Sequence, residues 1–113
     1  MKGKDVVRRL APNWKLWLEK DGEYVFGPGA YAILQAIKET GTITEGARKL
    51  GMSYRYAWGV IRKIENKLDT KLLETYKGGT VGGGGANITE PGHLLMYRFA
   101  KYRDEFERVS ESM

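Results

Sequence analysis

Two helix signals joined by a single tight turn, in the middle of the chain, constrain its fold more than any other feature. Thr44 is placed to cap a first helix that runs only to Leu50, and Gly51 allows the left-handed conformation that commonly ends a helix. Ser53 is then placed to cap a second helix that continues to about Leu68. Two helices joined by so short a turn are typical of a helix-turn-helix.

The second of these helices has one apolar and one basic face. At about 100° per residue, one narrow stripe, which we expect to face the core, is formed by Ala57, Ile61, Ile64 and Leu68. Arg55 and Arg62 point away from that stripe, and no acidic residue lies between Glu45 and Glu65. Such a face suits a major groove lined by phosphates, although a solvated amphipathic helix has the same pattern. Trp58 lies on the flank, where packing in the core or against a second subunit is the alternative to a DNA contact.

The elements before the helix-turn-helix are a β-hairpin and a helix. The hairpin is predicted over Trp14–Phe26, because strand-forming residues flank Asp21-Gly22, a pair that favours a two-residue type I′ turn. In that register the cross-strand pairs are Lys20 with Glu23, Leu18 with Val25, and Trp17 with Phe26. A helix follows from about Ala30 to Glu39.

The elements after it read as a wing, spanning about residues 72–89. A strand over Leu72–Lys77 and a second over Ala86–Thr89 enclose the glycine-rich segment Gly78–Gly85. Glycines there allow the backbone to approach phosphates or the minor groove closely, or simply form a mobile loop. Gly46 and Gly59 lie inside predicted helices, where glycine is unfavourable, so a close approach to a helix or to DNA is one explanation for them.

The last predicted element is a helix from about Pro91 to Ser110. Its large apolar residues are spaced four, three, four and three apart, as in the seam of a coiled coil; they are Leu95, Phe99, Tyr102, Phe106 and Val109. We expect this seam to join two copies of the chain, with folding back along its own domain as the alternative. The basic lead-in, residues 1–13, is either a mobile arm or a short helix packed on the body.

Composition limits the classes of function. A chain of 113 residues holds one compact domain, and its net charge of +5 favours a polyanionic partner. It has no cysteine, which excludes disulfides and thiolate chemistry, and no apolar stretch long enough to span a membrane, so a cytoplasmic location is expected. Its single histidine, His93, stands in no catalytic or metal-binding motif, so an enzyme is not expected.

Several of these segments resemble the N-terminal DNA-binding domain of molybdate-dependent regulators of the ModE type. The resemblance lies in Lys15–Gly22, Gly41–Thr44, Gly51–Trp58 and the glycine segment, and more distantly the chain is similar to the LysR-type winged helix. It implies a symmetric dimer on a palindromic operator, with Ser53, Tyr54 and Arg55 reaching bases or phosphates and the wing around Lys77 touching the backbone. Those regulators carry molybdate-binding domains after the winged helix, whereas this sequence stops at Met113, so no molybdate response is expected. The wing is also less basic than the family's usual one.

The sequence therefore predicts an α+β, mostly α, winged helix-turn-helix with an N-terminal β-hairpin and a long C-terminal dimerisation helix. Its parts are residues 1–13, a DNA-binding domain over residues 14–90 and a dimerisation helix over residues 91–113. The predicted function is sequence-specific binding of double-stranded DNA by a homodimeric transcriptional regulator, without cofactor, membrane contact or evident small-molecule effector. The residues predicted to contact DNA are Thr44, Arg48, Ser53, Tyr54, Arg55, Tyr56, Trp58, Arg62, Lys63 and Lys77. A non-specific architectural DNA-binding protein and a protein-interaction module remain as alternatives.

Overall fold

The fold is mostly helical with two small antiparallel hairpins, in a computed structural model that describes residues 2–77 and 84–112. The elements, in chain order, are α1 (Lys2–Arg8), β1 (Leu18–Lys20), β2 (Glu23–Phe26), α2 (Pro28–Thr40), α3 (Ile43–Lys49), α4 (Tyr54–Leu68), β3 (Leu73–Tyr76), β4 (Gly85–Ile88) and α5 (Glu90–Ser112). This arrangement confirms the predicted winged helix-turn-helix with an N-terminal hairpin and a long C-terminal helix.

The core forms where α2, α3 and α4 meet. From α2 it takes Ile33, Leu34 and Ile37, and from α4 Ala57 and Ile61, all almost completely buried. Helices α2 and α3 approach closely at Gly46, where a Cβ atom would lie 3.0 Å from the backbone nitrogen of Ile37. The predicted explanation of this glycine by helix packing is therefore confirmed.

The caps of the helix-turn-helix differ from the prediction at one residue. Thr42, and not Thr44, is the N-cap of α3, and its Oγ1 accepts a hydrogen bond from the backbone N–H of Glu45 at 2.9 Å. Both threonines have a suitable side chain, but Thr42 keeps the extended backbone of a cap (φ −139°, ψ 152°), while Thr44 already lies in the first turn. Ser53 caps α4 as predicted, accepting from the N–H of Tyr56 at 3.0 Å, and Gly51 has the expected positive φ of 71°.

The N-terminal hairpin has the predicted turn but a different register. Asp21 and its neighbouring glycine both have positive φ, as a type I′ turn requires. Leu18 pairs with Phe26, where the prediction paired it with Val25 and gave Phe26 to Trp17. The register shifts at this point because Val25 is an extra residue on β2, a β-bulge. The bulge allows both Val25 and Phe26, adjacent in sequence, to be buried in the core.

The wing is a hairpin of β3 and β4 in regular antiparallel register, from Leu73 opposite Ile88 to Tyr76 opposite Gly85. It is attached to the helical core by a hydrogen bond of 2.8 Å from the N–H of Ala86 to the carbonyl of Gly41. The predicted glycine loop falls largely on residues 78–83, which lie outside the described residues.

Two of the residues predicted to form the dimer interface pack against the core of their own chain, Phe99 fully and Leu95 in part. Phe99 is only 2% exposed and lies in the core of its own domain, with its ring 5.4 Å from that of Phe26 and 5.2 Å from that of Tyr31. Leu95 is partly buried against the same core. The first half of the seam therefore packs within the chain, because the hairpin and α2 already supply an apolar surface there. The residues of the second half are more exposed, at 39% for Tyr102, 50% for Phe106 and 57% for Val109.

The N-terminal lead-in forms the short helix α1, but residues 2–13 are all exposed. The molecule is elongated and measures 70 × 32 × 21 Å.

Candidate nucleic-acid interface

Helix α4 presents the predicted two faces. Its apolar stripe is buried at Ala57, Ile61 and Ile64, and Leu68 packs against the same core. Opposite this stripe, Arg55 and Arg62 are exposed, and Gly59 lies between them on the same face, four residues after the first and three before the second. The outer face of α4 is defined here by these three residues.

The two arginines of the outer face have different surroundings. Among residues 2–77 and 84–112, no acidic group lies within ion-pair distance of Arg55. The guanidinium of Arg62 lies 5.6 Å from the ring centroid of Trp58, and its Nε is 4.0 Å from Oε1 of Glu65. Arg62 is thus held near the surface of its own helix, whereas Arg55 is free to reach an outside partner.

Three aromatic residues flank the outer face. Tyr54 and Tyr56 are 50% and 60% exposed, which leaves both available for contact with a ligand. Trp58 is partly buried and packs against the core, as the alternative reading of this residue supposed. The guanidinium group of Arg62 lies over the exposed part of the Trp58 ring, so Trp58 helps to position an arginine of the outer face.

Two lysines lie on the other flank of α4. Lys63 is exposed. The ammonium group of Lys67 donates a hydrogen bond of 2.8 Å to the carbonyl of Tyr24, and Lys20 in turn donates one of 3.2 Å to the carbonyl of Lys67. This exchange ties the N-terminal hairpin to the end of α4, which fixes the orientation of the helix relative to the body.

A buried carboxylate joins α4 to the wing. Glu65 is 5% exposed, and its Oε2 accepts hydrogen bonds from the backbone N–H groups of Leu72 at 2.8 Å and Leu73 at 3.2 Å. Its Oε1 is buried without a hydrogen-bond partner among the described residues, and the nearest cation is Arg62. No role for Glu65 was predicted from the sequence. A usable signal was present, because Glu65 follows the buried Ile61 by four residues and is the only acidic residue in α4.

The remaining predicted contact residues come from two other elements. Thr44 and Arg48 are exposed on α3, where Arg48 pairs with Glu45 at 3.0 Å. Lys77 is exposed at the end of β3. The structure therefore distributes the predicted residues over α3, the start and outer side of α4, and the wing.

A second lysine of α3, Lys49, contacts the preceding helix. Its ammonium group donates a hydrogen bond to Glu39 near the end of α2. This bond, together with one from the amide of Gln35, holds the pKa of the Glu39 carboxyl below its usual value. Lys49 thus stabilises the α2–α3 corner.

The described part of the chain carries no sign of a metal site or of a membrane-spanning helix. Within residues 2–77 and 84–112, no three His, Asp or Glu side chains are grouped so that they could hold a metal ion. None of the helices in those two ranges is both long and apolar enough to cross a membrane. His93 is exposed at the start of α5.

Comparison with known proteins places the chain in a family. Residues 29–93 match the family described as bacterial regulatory helix-turn-helix protein, lysR family, which is a family of regulators and not a class of enzymes. The fold is also that of the crystal structure of the CbnR_DBD–DNA complex, with a TM-score of 0.57 and 19% identity over 74% of this chain and 90% of that one.

Curated relatives confirm the resemblance to ModE-type regulators. The chain is 36% identical to the molybdenum-pterin-binding protein MopA of Rhodobacter capsulatus over 74% of its own length and 31% of that protein. It is 39% identical to the transcriptional regulator ModE of Yersinia pestis, over 61% of the chain and 26% of that protein. The chain thus spans less than a third of these relatives. It belongs to the lysR family of bacterial regulatory helix-turn-helix proteins.

Proposed function

We propose that this chain is a transcriptional regulator that binds double-stranded DNA as a homodimer and reads a specific operator with the outer face of α4. The observation that carries the proposal is the guanidinium group of Arg55, which has no ion-pair partner among the described residues and is exposed at the start of a helix whose opposite side is buried in the core. The relatives named as transcriptional regulators and the DNA complex of the structural neighbour support the same reading.

The chemistry of α4 suits the major groove. That groove is about 12 Å wide and admits one α-helix. Arginine donors near the start of such a helix can pair with guanine edges or phosphate oxygens. Around the arginines, Ser53, Tyr54, Tyr56 and Lys63 supply further donors, while α3 and the wing, through Lys77, are proposed to contact the flanking phosphates.

The end of α5 supports a dimer. Beyond Phe99 the seam continues as Tyr102, Phe106 and Val109, which are 39%, 50% and 57% exposed. The Phe106 ring lies 5.7 Å from the ring of Trp14, and half of its side chain remains exposed. Exposed large side chains aligned on one face of a helix are typical of an interface. We propose that this half-seam pairs with its counterpart in a second copy and holds the two α4 helices about 34 Å apart, one turn of B-DNA.

The contact is tested by removing the arginines of the outer face. Arg55→Ala, alone and combined with Arg62→Ala, is expected to weaken binding to a duplex selected by the unmodified protein by about tenfold or more, because a lost arginine–base contact costs about 1–3 kcal/mol. Binding is measured by fluorescence anisotropy over a series of salt concentrations. Lys101→Ala is the matched control, because it removes the same charge from an exposed position on α5.

Equal weakening by Lys101→Ala would mean that only net charge matters, which is the behaviour of a non-specific architectural protein. Unchanged binding after loss of both arginines would show that the outer face of α4 is not the contact surface. If the chain is instead a protein-interaction module, no duplex will show binding that weakens as the salt concentration rises.

A further inference from the structure

Gly59 is a helical glycine that no packing contact with the described residues explains. A Cβ atom at this position would meet no heavy atom of residues 2–77 and 84–112 within 4 Å, apart from its chain neighbours and the helix's own backbone. Gly46, the helical glycine of α3, is different, because a Cβ there would lie 3.0 Å from both the backbone and the side chain of Ile37. Packing within the fold therefore favours a glycine at residue 46 and leaves room for a Cβ atom at residue 59.

The helix itself would be more stable with another residue at this position. Glycine is among the weakest helix formers, and Gly59 lies in the interior of the 15-residue helix α4. Its φ is not in the left-handed region, so no turn or kink requires a glycine. An unfavourable residue that neither packing nor backbone geometry explains points to a constraint from outside the chain.

The position of Gly59 indicates what that constraint is. It lies at the centre of the outer face, between Arg55 and Arg62, two residues that are about 10 Å apart along the helix axis. That length corresponds to about three base-pair steps. An arginine lies at each end of this stretch, Arg55 exposed without an ion-pair partner among the described residues and Arg62 against the Trp58 ring, while the middle presents bare backbone.

We propose that Gly59 is the point of closest approach between α4 and the base pairs of its operator, and that the missing side chain sets the depth of the helix in the major groove. This inference rests on the proposed function. With glycine at the centre, the helix can sink toward the base edges until Arg55 and Arg62 reach them. A side chain at residue 59 would strike the floor of the groove first and lift both arginines away. Gly59 is thus a specificity-determining position that makes no hydrogen bond through a side chain of its own.

The test uses two substitutions whose effects on folding and on DNA binding are expected to be opposite. Gly59→Ala and Gly59→Leu should both raise the midpoint of thermal unfolding, because each replaces glycine with a strong helix former in open space. Affinity for duplexes selected from a random pool by the unmodified protein should fall, by about tenfold for alanine and about a hundredfold for leucine, the range expected when one or two base contacts are lost. Affinity for random-sequence duplex of the same length should change much less, because phosphate contacts do not need the full depth.

Gly29→Ala is the matched control. Gly29 is also a helical glycine with no atom within 4 Å of its Cβ position, but it lies in the first turn of α2. This variant should keep the unmodified affinity for the selected duplexes.

The outcomes separate this inference from the proposed function. Selected-duplex affinity that is unchanged in both Gly59 variants would overturn the role of Gly59 while leaving the DNA-binding proposal intact. If the alanine variant unfolds at a lower temperature than the unmodified protein, any loss of binding would be explained by its lower stability. That result would also overturn the role of Gly59. If the unmodified protein enriches no duplex at all, both proposals fail.

Discussion

Removal of the Glu65 side chain should destabilise the chain more than any exposed substitution. Glu65→Ala leaves the N–H groups of Leu72 and Leu73 buried without their acceptor. Each unsatisfied buried donor costs about 1–3 kcal/mol. Part of this loss is offset, because the carboxylate has one buried oxygen without a hydrogen-bond partner among the described residues, and alanine removes that unfavourable group. We expect the free energy of unfolding to fall by about 2–4 kcal/mol, a large share of the 5–15 kcal/mol typical of a small domain.

The reason for the loss is tested by a second substitution at the same residue. Glu65→Gln keeps an oxygen that can accept both bonds but loses the charge, so we expect a smaller decrease of about 1–2 kcal/mol. Both values are measured by urea unfolding, with Glu74→Ala, an exposed change on β3, as a control expected within about 0.5 kcal/mol of the unmodified chain. A glutamine variant as unstable as the alanine variant would show that the charge beside Arg62, and not the two backbone bonds, explains the loss. An alanine variant of unchanged stability would refute the reasoning altogether.

Two further predictions concern packing between and within chains. Phe106→Asp combined with Val109→Asp should convert the proposed dimer to a monomer in sedimentation equilibrium, whereas Tyr97→Asp, at a residue that is 65% exposed on the opposite side of α5, should leave the mass unchanged. An unchanged mass in the first variant would exclude the half-seam as the interface. Gly46→Ala should lower the free energy of unfolding by about 1–3 kcal/mol, because the added methyl group meets the backbone of α2 at 3.0 Å. An unchanged free energy in urea unfolding would mean that α2 and α3 can move apart without cost to admit the methyl group.

Local signals in the sequence were sufficient for the helix-turn-helix itself. The Ser53 cap, the left-handed Gly51 and the aliphatic stripe of α4 each depend on a few neighbouring residues, and each is found as predicted. The cap of α3 was wrong by two residues because Thr42 and Thr44 have equivalent hydroxyl groups. The choice between them depends on where the chain leaves α2, which is a tertiary constraint.

Long-range packing decided the features that were mispredicted or missed. The hairpin register changed because the core buries both Val25 and Phe26, which a regular strand would point to opposite faces. In α5, heptad spacing identified an apolar face but not the surface that covers it, and Phe99 proved to lie in its own core. The position of Glu65 four residues after Ile61 marks it as a buried acid, but its partners are backbone groups seven and eight residues away, which no pattern within α4 identifies.

Selection of bound duplexes from a random-sequence pool tests directly whether α4 reads DNA as half of a symmetric pair. If it does, the enriched duplexes will carry an inverted repeat whose half-site centres lie one helical turn apart, about 10 base pairs. Recovery of duplexes with no common sequence, at an affinity that depends only on salt, would contradict sequence-specific regulation by this chain.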